Sequence, residues 1–309
     1  MILKTDTRRL RGFTLVELVM VIALASVVAV MVSSVLSRPL EGFMAQSRRA
    51  ELTDMAAIAL NRMTRDIRLA VPNSLRVSDS DGDGYGDTLE LLPIHEAGRY
   101  RANQLPNASG NIDLNSVRYD PPRCPPPPGT CQIEVLSPLD KPRVEESKWM
   151  VIYNIGAGGA SAPQAGANVW AYGKPGVITP TGVGFGLEPA QPPENKQKLV
   201  LSGVQLDGFG FAYASPQHRF YLAKEVVGYK CVTEGGETSL RRASFSDLRA
   251  AGTYEYGNAR WLVGSVSRCR INYKPGTNTR NALVTIELGV KKGGEEVVLL
   301  QQVHVDNAP

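Results

Sequence analysis

Arg11-Gly12-Phe13-Thr14-Leu15-Val16-Glu17 leads without a break into an apolar segment that ends near Leu36. Over residues 13–36 the only ionisable side chain is Glu17. As a helix rising about 1.5 Å per residue, that stretch reaches roughly 35 Å, enough for a hydrocarbon core of about 30 Å. Upstream, Lys4, Arg8, Arg9 and Arg11 outweigh Asp6 by about three charges, and such flanks stay cytoplasmic. The expectation is one span, with everything after Leu36 across the membrane. An ordinary secretory signal keeps its apolar core inside the removed peptide, ahead of a small-x-small site. Leu36-Ser37-Arg38-Pro39 offers no such site, whereas Gly12-Phe13 precedes the apolar run. A cut at that junction would retain the helix.

Glu17 needs a physical reason. A carboxylate at the centre of a membrane helix costs about 2.5–3.5 kcal/mol, and less near an end. One turn into the helix, headgroups can solvate it. Alternatively, cleavage after Gly12 frees the amine of Phe13, and Glu17 of a neighbouring chain neutralises that cation within a helix bundle. The segment resembles the prepilin signal of type IV pilins and type II secretion pseudopilins. The resemblance implies cutting between Gly12 and Phe13 by prepilin peptidase, N-methylation of Phe13 and a docking role for Glu17. It also implies an inner-membrane protein with its C-terminal part in the periplasm, later at the cell surface in a pilus. Its partners would be other pilins, met through the N-terminal helix.

Residues 40–71 read as an amphipathic continuation. Leu52, Met55, Ala56, Ala59, Leu60, Met63 and Ile67 recur at three- and four-residue steps, with charges on the other faces. Pro39 and Gly42 lie between the two halves, where a missing backbone donor permits a kink. Val71-Pro72-Asn73 stops the helix. The segments Arg38-Pro39-Leu40-Glu41-Gly42-Phe43, Arg48-Arg49-Ala50-Glu51-Leu52 and Arg62-Met63-Thr64-Arg65-Asp66-Ile67-Arg68, ending in Pro72-Asn73-Ser74, resemble the O-type minor pilins of mannose-sensitive haemagglutinin (MSHA) pili. That narrower likeness implies a minor pilin acting in pilus priming or near the tip.

From residue 74 onward, strands and loops dominate: runs at 74–77, 88–92, 149–155, 198–201, 208–214, 220–223 and 226–231. The clearest hairpin joins 283–290 to 297–305 around Lys291-Lys292-Gly293-Gly294. The fold class is therefore α+β, a long N-terminal helix packed on a β-rich globular domain. Four divisions follow: leader 1–12, assembly helix 13–36, amphipathic helix 37–72 and globular domain 73–309. With 43% hydrophobic residues, the chain has ample material for a core.

The net charge of +4 falls to about +1 once the leader's four basic residues and one acid are removed. That balance gives no basic surplus for nucleic acid. Cys124, Cys131, Cys231 and Cys269 form an even set outside the cytoplasm, consistent with two disulfides among three pairings. Cys124–Cys131 would close a proline-rich loop. Cys231–Cys269 would match the C-terminal disulfide region that the pilin resemblance implies. Zinc has neither a C-x2-C pair nor a nearby histidine in its favour.

Asp79-Ser80-Asp81-Gly82-Asp83-Gly84-Tyr85-Gly86-Asp87-Thr88-Leu89-Glu90 fits the spacing D-x-D-x-D-G-x5-E. In that pattern Asp79, Asp81 and Asp83, the Tyr85 carbonyl, Asp87 through water and a bidentate Glu90 would wrap Ca²⁺. Gly86 departs from it, standing where an apolar anchor is usual. Calcium is thus a candidate ligand, and no cofactor is required. An enzyme is not expected: His95, His218 and His304 are scattered, and no triad, Walker or dinucleotide-binding pattern occurs. Two other readings remain, a type II secretion pseudopilin and an adhesive module acting through the loops over 95–193.

Overall fold

The computed structural model describes residues 12–104, 117–124, 130–159, 162–190, 196–249, 254–276 and 280–305, with the backbone alone of 36–40. Residues 1–11 of the expected leader and 125–129 of the proline-rich loop lie outside that set. Two compact units divide the chain, Met1–Glu51 and Leu52–Pro309. One helix, α1 (Leu15–Arg68), contributes to both.

In the first unit the helix start is chemically marked. Thr14 precedes the first helical residue, and its Oγ1 accepts the Glu17 amide at 3.3 Å, which satisfies one of the end's orphan donors. Ser26 and Ser34 donate their hydroxyls to the Ile22 and Met31 carbonyls at 2.7 and 2.9 Å, so neither asks for water. Leu15–Val35 has a mean hydropathy of 2.8 and no buried residue. The helical run continues through Pro39 and Gly42.

The second unit begins on the amphipathic part of α1. It continues through β1 (Arg76–Ser78), β2 (Thr88–Leu91), β3 (Glu96–Arg99), β4 (Asn103–Gln104), β5 (Arg118–Tyr119) and β6 (Thr130–Val135). A short α2 (Lys141–Glu146) follows. Next come β7 (Trp149–Val151), β8 (Gly184–Glu188), β9 (Gln197–Ser202), β10 (Arg219–Ala223), β11 (Val226–Glu234) and β12 (Glu237–Phe245). β13 (Arg260–Val263), β14 (Val266–Lys274), β15 (Ala282–Lys292) and β16 (Glu295–Val305) close the order. The sheets run β1-β2-β11-β12-β13, β14-β15-β16, β3-β10-β7, β6-β9-β8 and β4-β5. Gly235-Gly236 and Gly293-Gly294, all at positive φ, make the two-residue turns of the β11–β12 and β15–β16 hairpins.

Three cores result. In the first, Leu52, Ala56, Ala59, Leu60, Met63 and Ile67 bury the helical stripe against Leu89, Leu91, Val227 and Tyr229 of the five-stranded sheet. Val284, Ile286, Leu288 and Val303 of β15 and β16 complete this cluster. The other two cores divide β7 and β10 between them by strand alternation. Met150, Phe220 and Leu222 face the β6-β9-β8 sheet, whereas Trp149, Val151, Tyr221 and Ala223 pack with Trp170, Tyr254 and Tyr256.

The helix ends at Arg68, three residues before the Val71-Pro72-Asn73 stop. There the chain turns into a sheet contact, with the Val71 amide donating to the Leu92 carbonyl at 2.8 Å. Asn73 supplies the left-handed turn (φ 57), and the side-chain amides of Asn73 and Asn154 cross-bond it to the chain at 154 and 72, each at 2.9 Å. Residues 208–214, expected as a strand, do not form one. Gly208 adopts φ 63, and the segment makes only isolated bridges, Arg123↔Gly210 and Gly176↔Phe211.

Disulfides join Cys124 to Cys131 and Cys231 to Cys269. The second ties β11 of the five-stranded sheet to β14 of the three-stranded one, the two sheets that α1 covers. Replacing Cys231 and Cys269 together by Ser should therefore cost about 2–5 kcal/mol of unfolding free energy. Chemical denaturation of the oxidised and doubly substituted chains measures it.

Candidate functional site

Gly12 and Phe13 lie just ahead of α1, both exposed, and Glu17 occupies its first turn, also exposed. A carboxylate there complements the positive helix end, an effect of about 0.3–1 kcal/mol. Phe13, Leu15, Val16, Leu18 and Val19 surround it with exposed apolar surface. The segment thus offers one carboxylate in an otherwise apolar, membrane-length surface, with an exposed Gly-Phe bond ahead of the helix. Thr14-x-x-Glu17 also has the spacing of a helix capping box, a signal that sequence reading of the Glu17 charge passed over.

The acidic loop joins β1 to β2. Asp79 accepts the Gly82 and Gly84 amides at 2.7 and 2.9 Å, Asp81 accepts the Asp83 amide at 3.3 Å, and Asp83 accepts the Tyr85 amide at 2.8 Å. The Gly82 and Gly84 amides hold the Asp79 carboxyl below its ordinary range. Gly82 and Gly84 have φ 77 and 87, the left-handed turns such a tight loop needs. Ligand oxygens of Asp79, Asp81 and Asp83 come within 4.8 Å of one another, all three residues being exposed.

The rest of the expected calcium wrap is not assembled. Glu90 sits on β2 directly opposite Arg76 of β1, and its buried carboxylate pairs with the Arg76 guanidinium. It also accepts the Tyr256 hydroxyl at 3.2 Å. Asp87 accepts the Ser80 and Thr88 hydroxyls and is itself buried. Both carboxylates are therefore committed to protein donors, and of the six expected ligands Asp79, Asp81, Asp83 and the Tyr85 carbonyl remain. Gly86 has a structural reason of its own: it exchanges backbone hydrogen bonds with Ile271 of β14 at 2.8 and 3.0 Å. A Cβ there would stand 2.1 Å from Val77 Cγ1.

Two buried polar nodes lay beyond sequence reading. Arg76 pairs with Glu90 and stacks its guanidinium 3.9 Å from the Trp170 ring centroid. Burial, followed by the Glu90 charge, pushes the Tyr256 hydroxyl far above its ordinary pKa, so it stays a donor. On the helix side, Asp66 accepts the Tyr229 hydroxyl at 2.6 Å and Arg242 Nε at 2.9 Å. This fixes the rotation of α1 over β11 and β12. The partners are 163 and 176 residues apart, with no local pattern to join them. The histidines fall in separate places: His95 3.5 Å from Glu146, His218 2.9 Å from Asp120, and His304 on the outer face of β16.

Residues 7–33 match the prokaryotic N-terminal methylation motif, the prepilin signal found at the start of type IV pilin-like proteins. No characterised protein and no solved structure gives a match to the chain. The match covers the Gly12-Phe13 junction, Glu17 and most of the exposed apolar helix, and with that helix it indicates membrane anchoring.

Glu90→Ala should lower unfolding free energy by about 3–5 kcal/mol, because it removes the buried carboxylate that faces the Arg76 cation. Any calcium heat of the wild-type chain should survive the change. Thermal unfolding and calorimetry on the same sample separate the two effects, and a loss of heat without a loss of stability would return Glu90 to the ligand set.

Proposed function

We propose that the chain is a prepilin of a type IV pilus, cut between Gly12 and Phe13, N-methylated on Phe13 and built into a filament through its N-terminal helix. The observation that carries this reading is one coincidence in position. The methylation motif at 7–33 overlaps a 21-residue apolar helix, Leu15–Val35, that the rest of the chain leaves wholly exposed. A soluble protein does not leave so large an apolar surface open, whereas a membrane first and a bundle of like helices later would cover it.

In this reading Glu17 of one subunit pairs with the Phe13 amine of the next. The chain would lie in the inner membrane with its β-rich part in the periplasm, then in the pilus at the cell surface. It is a substrate of prepilin peptidase and catalyses nothing itself. The segments around 38–74 favour a minor pilin of the MSHA type, acting in priming or near the tip. A type II secretion pseudopilin is the second reading, since it shares every N-terminal feature. A calcium role narrows to Asp79, Asp81, Asp83 and the Tyr85 carbonyl, a smaller set than the six to eight oxygens that calcium takes.

Co-production with a prepilin peptidase, followed by intact mass and terminal sequencing, tests the proposal. The expected product begins at methylated Phe13 and disappears with Gly12→Val. Glu17→Ala should still be cut yet enter pili at a level reduced at least about tenfold, the factor produced by roughly 1.4 kcal/mol of lost pairing. A full-length chain, or one cut after the apolar segment, would remove the prepilin reading. Loss of protein secretion with pili intact in a deletion strain would select the pseudopilin.

A further inference from the structure

The five-stranded sheet has β13 as one of its outer strands, and beside it the solvent face of α1 forms a groove of about 600 Å³. Its lining combines Ile58, Arg62, Arg65, Arg242, Arg260 and Trp261. Ile58 and Trp261 are 69% and 56% exposed, large apolar groups left open beside cations. Asp66 is occupied by Arg242 and lies 3.4 Å from Arg62. Arg65 and Arg260 are exposed and make no ion pair among the described residues. At the opposite edge of the same sheet, the β1–β2 connection projects Asp79, Asp81 and Asp83, all exposed and crowded within 4.8 Å.

We propose that the cationic groove beside β13 receives the acidic β1–β2 loop of a second copy of this chain. Charge complementarity selects the occupant: three clustered carboxylates meet two arginines that make no ion pair among the described residues. Tyr85, 42% exposed on that loop beside the Arg270 guanidinium of its own chain, adds apolar surface to meet Trp261 and Ile58. The guanidinium groups relieve the mutual repulsion of the carboxylates as a metal would. Loop and groove occupy opposite edges of one sheet, so the contact is heterologous, one copy's loop meeting another's groove. Few contacts suffice, because chains held side by side by their membrane helices meet at high effective concentration. The proposal rests on the filament reading for that proximity.

The test uses the full chain, co-produced with prepilin peptidase and held in detergent micelles with a calcium chelator. A benzophenone side chain replaces Asn61, and photo-crosslinks to residues 78–90 of an isotopically distinct copy are counted by mass spectrometry. Wild-type copies should crosslink. Arg65→Glu with Arg260→Glu should lower the yield about tenfold, and Asp81→Lys with Asp83→Lys should do the same, since like charges then face each other. Mixing the two double variants should restore the yield, because each then offers an opposite charge to the other. Raising salt from about 0.05 to about 0.5 M should weaken the wild-type crosslink.

Wild-type yield in either double variant alone, or no recovery in the mixture while both variants unfold at the wild-type temperature, overturns the pairing. The mass of the same chains separates this failure from that of the filament reading. Cut chains lacking the charge-swap pattern count against the groove alone. Uncut chains that keep the pattern count against the filament alone.

Discussion

The contact between one helical stripe and two sheets is what the second unit depends on. Leu52, Leu60, Met63 and Ile67 are almost fully buried, at about 1.5–3 kcal/mol each, so together they contribute roughly 6–12 kcal/mol. That is comparable to the whole net stability of an ordinary domain, about 5–15 kcal/mol. The Asp66 node adds little net energy, as buried ion pairs usually do, but it admits one rotation of the helix. A turned helix would strand Asp66 or Arg242 without a partner. The Cys231–Cys269 bond constrains the other side of the same core, holding together the two sheets that the helix covers.

The same helix serves two environments, and the division lies in its composition. Over Leu15–Val35 the surface is apolar on all sides apart from Glu17, so no amphipathic stripe exists. From Leu52 on, one face is apolar and the others carry Arg62, Arg65 and Arg68. The serines within the apolar half return their hydroxyls to the helix backbone. An isolated membrane helix requires this, because hydrocarbon supplies no donors or acceptors. The β-rich part shows the reverse economy of polar groups. Its interior charges among the described residues, Arg76, Glu90, Asp66, Asp87 and Arg241, are engaged by neighbouring protein groups, as burial demands.

What sequence could read was whatever repeats over a short distance. The helical stripe, the apolar span and the β15–β16 hairpin with its Gly-Gly turn all announce themselves within about a dozen residues. β12 and β14 were missed because Leu240-Arg241-Arg242-Ala243-Ser244 and Arg268-Cys269-Arg270 put arginines where alternation would show apolar residues. Only the fold reveals that Arg241 is buried and bonded to Glu234 and to the Tyr256 and Gly257 carbonyls. Glu90 illustrates the opposite error. The loop spacing measures distance along the chain, but by position 90 the chain is already a strand. Strand alternation and the Arg76↔Glu90 register then direct that carboxylate inward, toward a cation rather than a loop. The acidic loop kept the part of its pattern that is local and lost the part that the sheet claimed.

Glu17 combines both kinds of information, and its two roles do not compete. The helix cap is made by the Thr14 hydroxyl and the Glu17 backbone amide, so the Glu17 carboxylate takes no part in that bond. It remains in the first turn of a helix whose exposed surface is otherwise apolar. An unpaired carboxylate in that setting is costly once the surface is enclosed by other helices, because hydrocarbon-like surroundings penalise the bare charge. An amine freed at Phe13 would carry the opposite charge, close to the same helix end in every copy. Within one chain that amine also faces the positive pole of its own helix, an unfavourable position. Pairing with a neighbour's Glu17 would relieve both charges at once, and only if the two chains are displaced along their axes. Under the proposed cleavage, a displaced arrangement of neighbouring helices, as in a filament, is what would satisfy this one carboxylate.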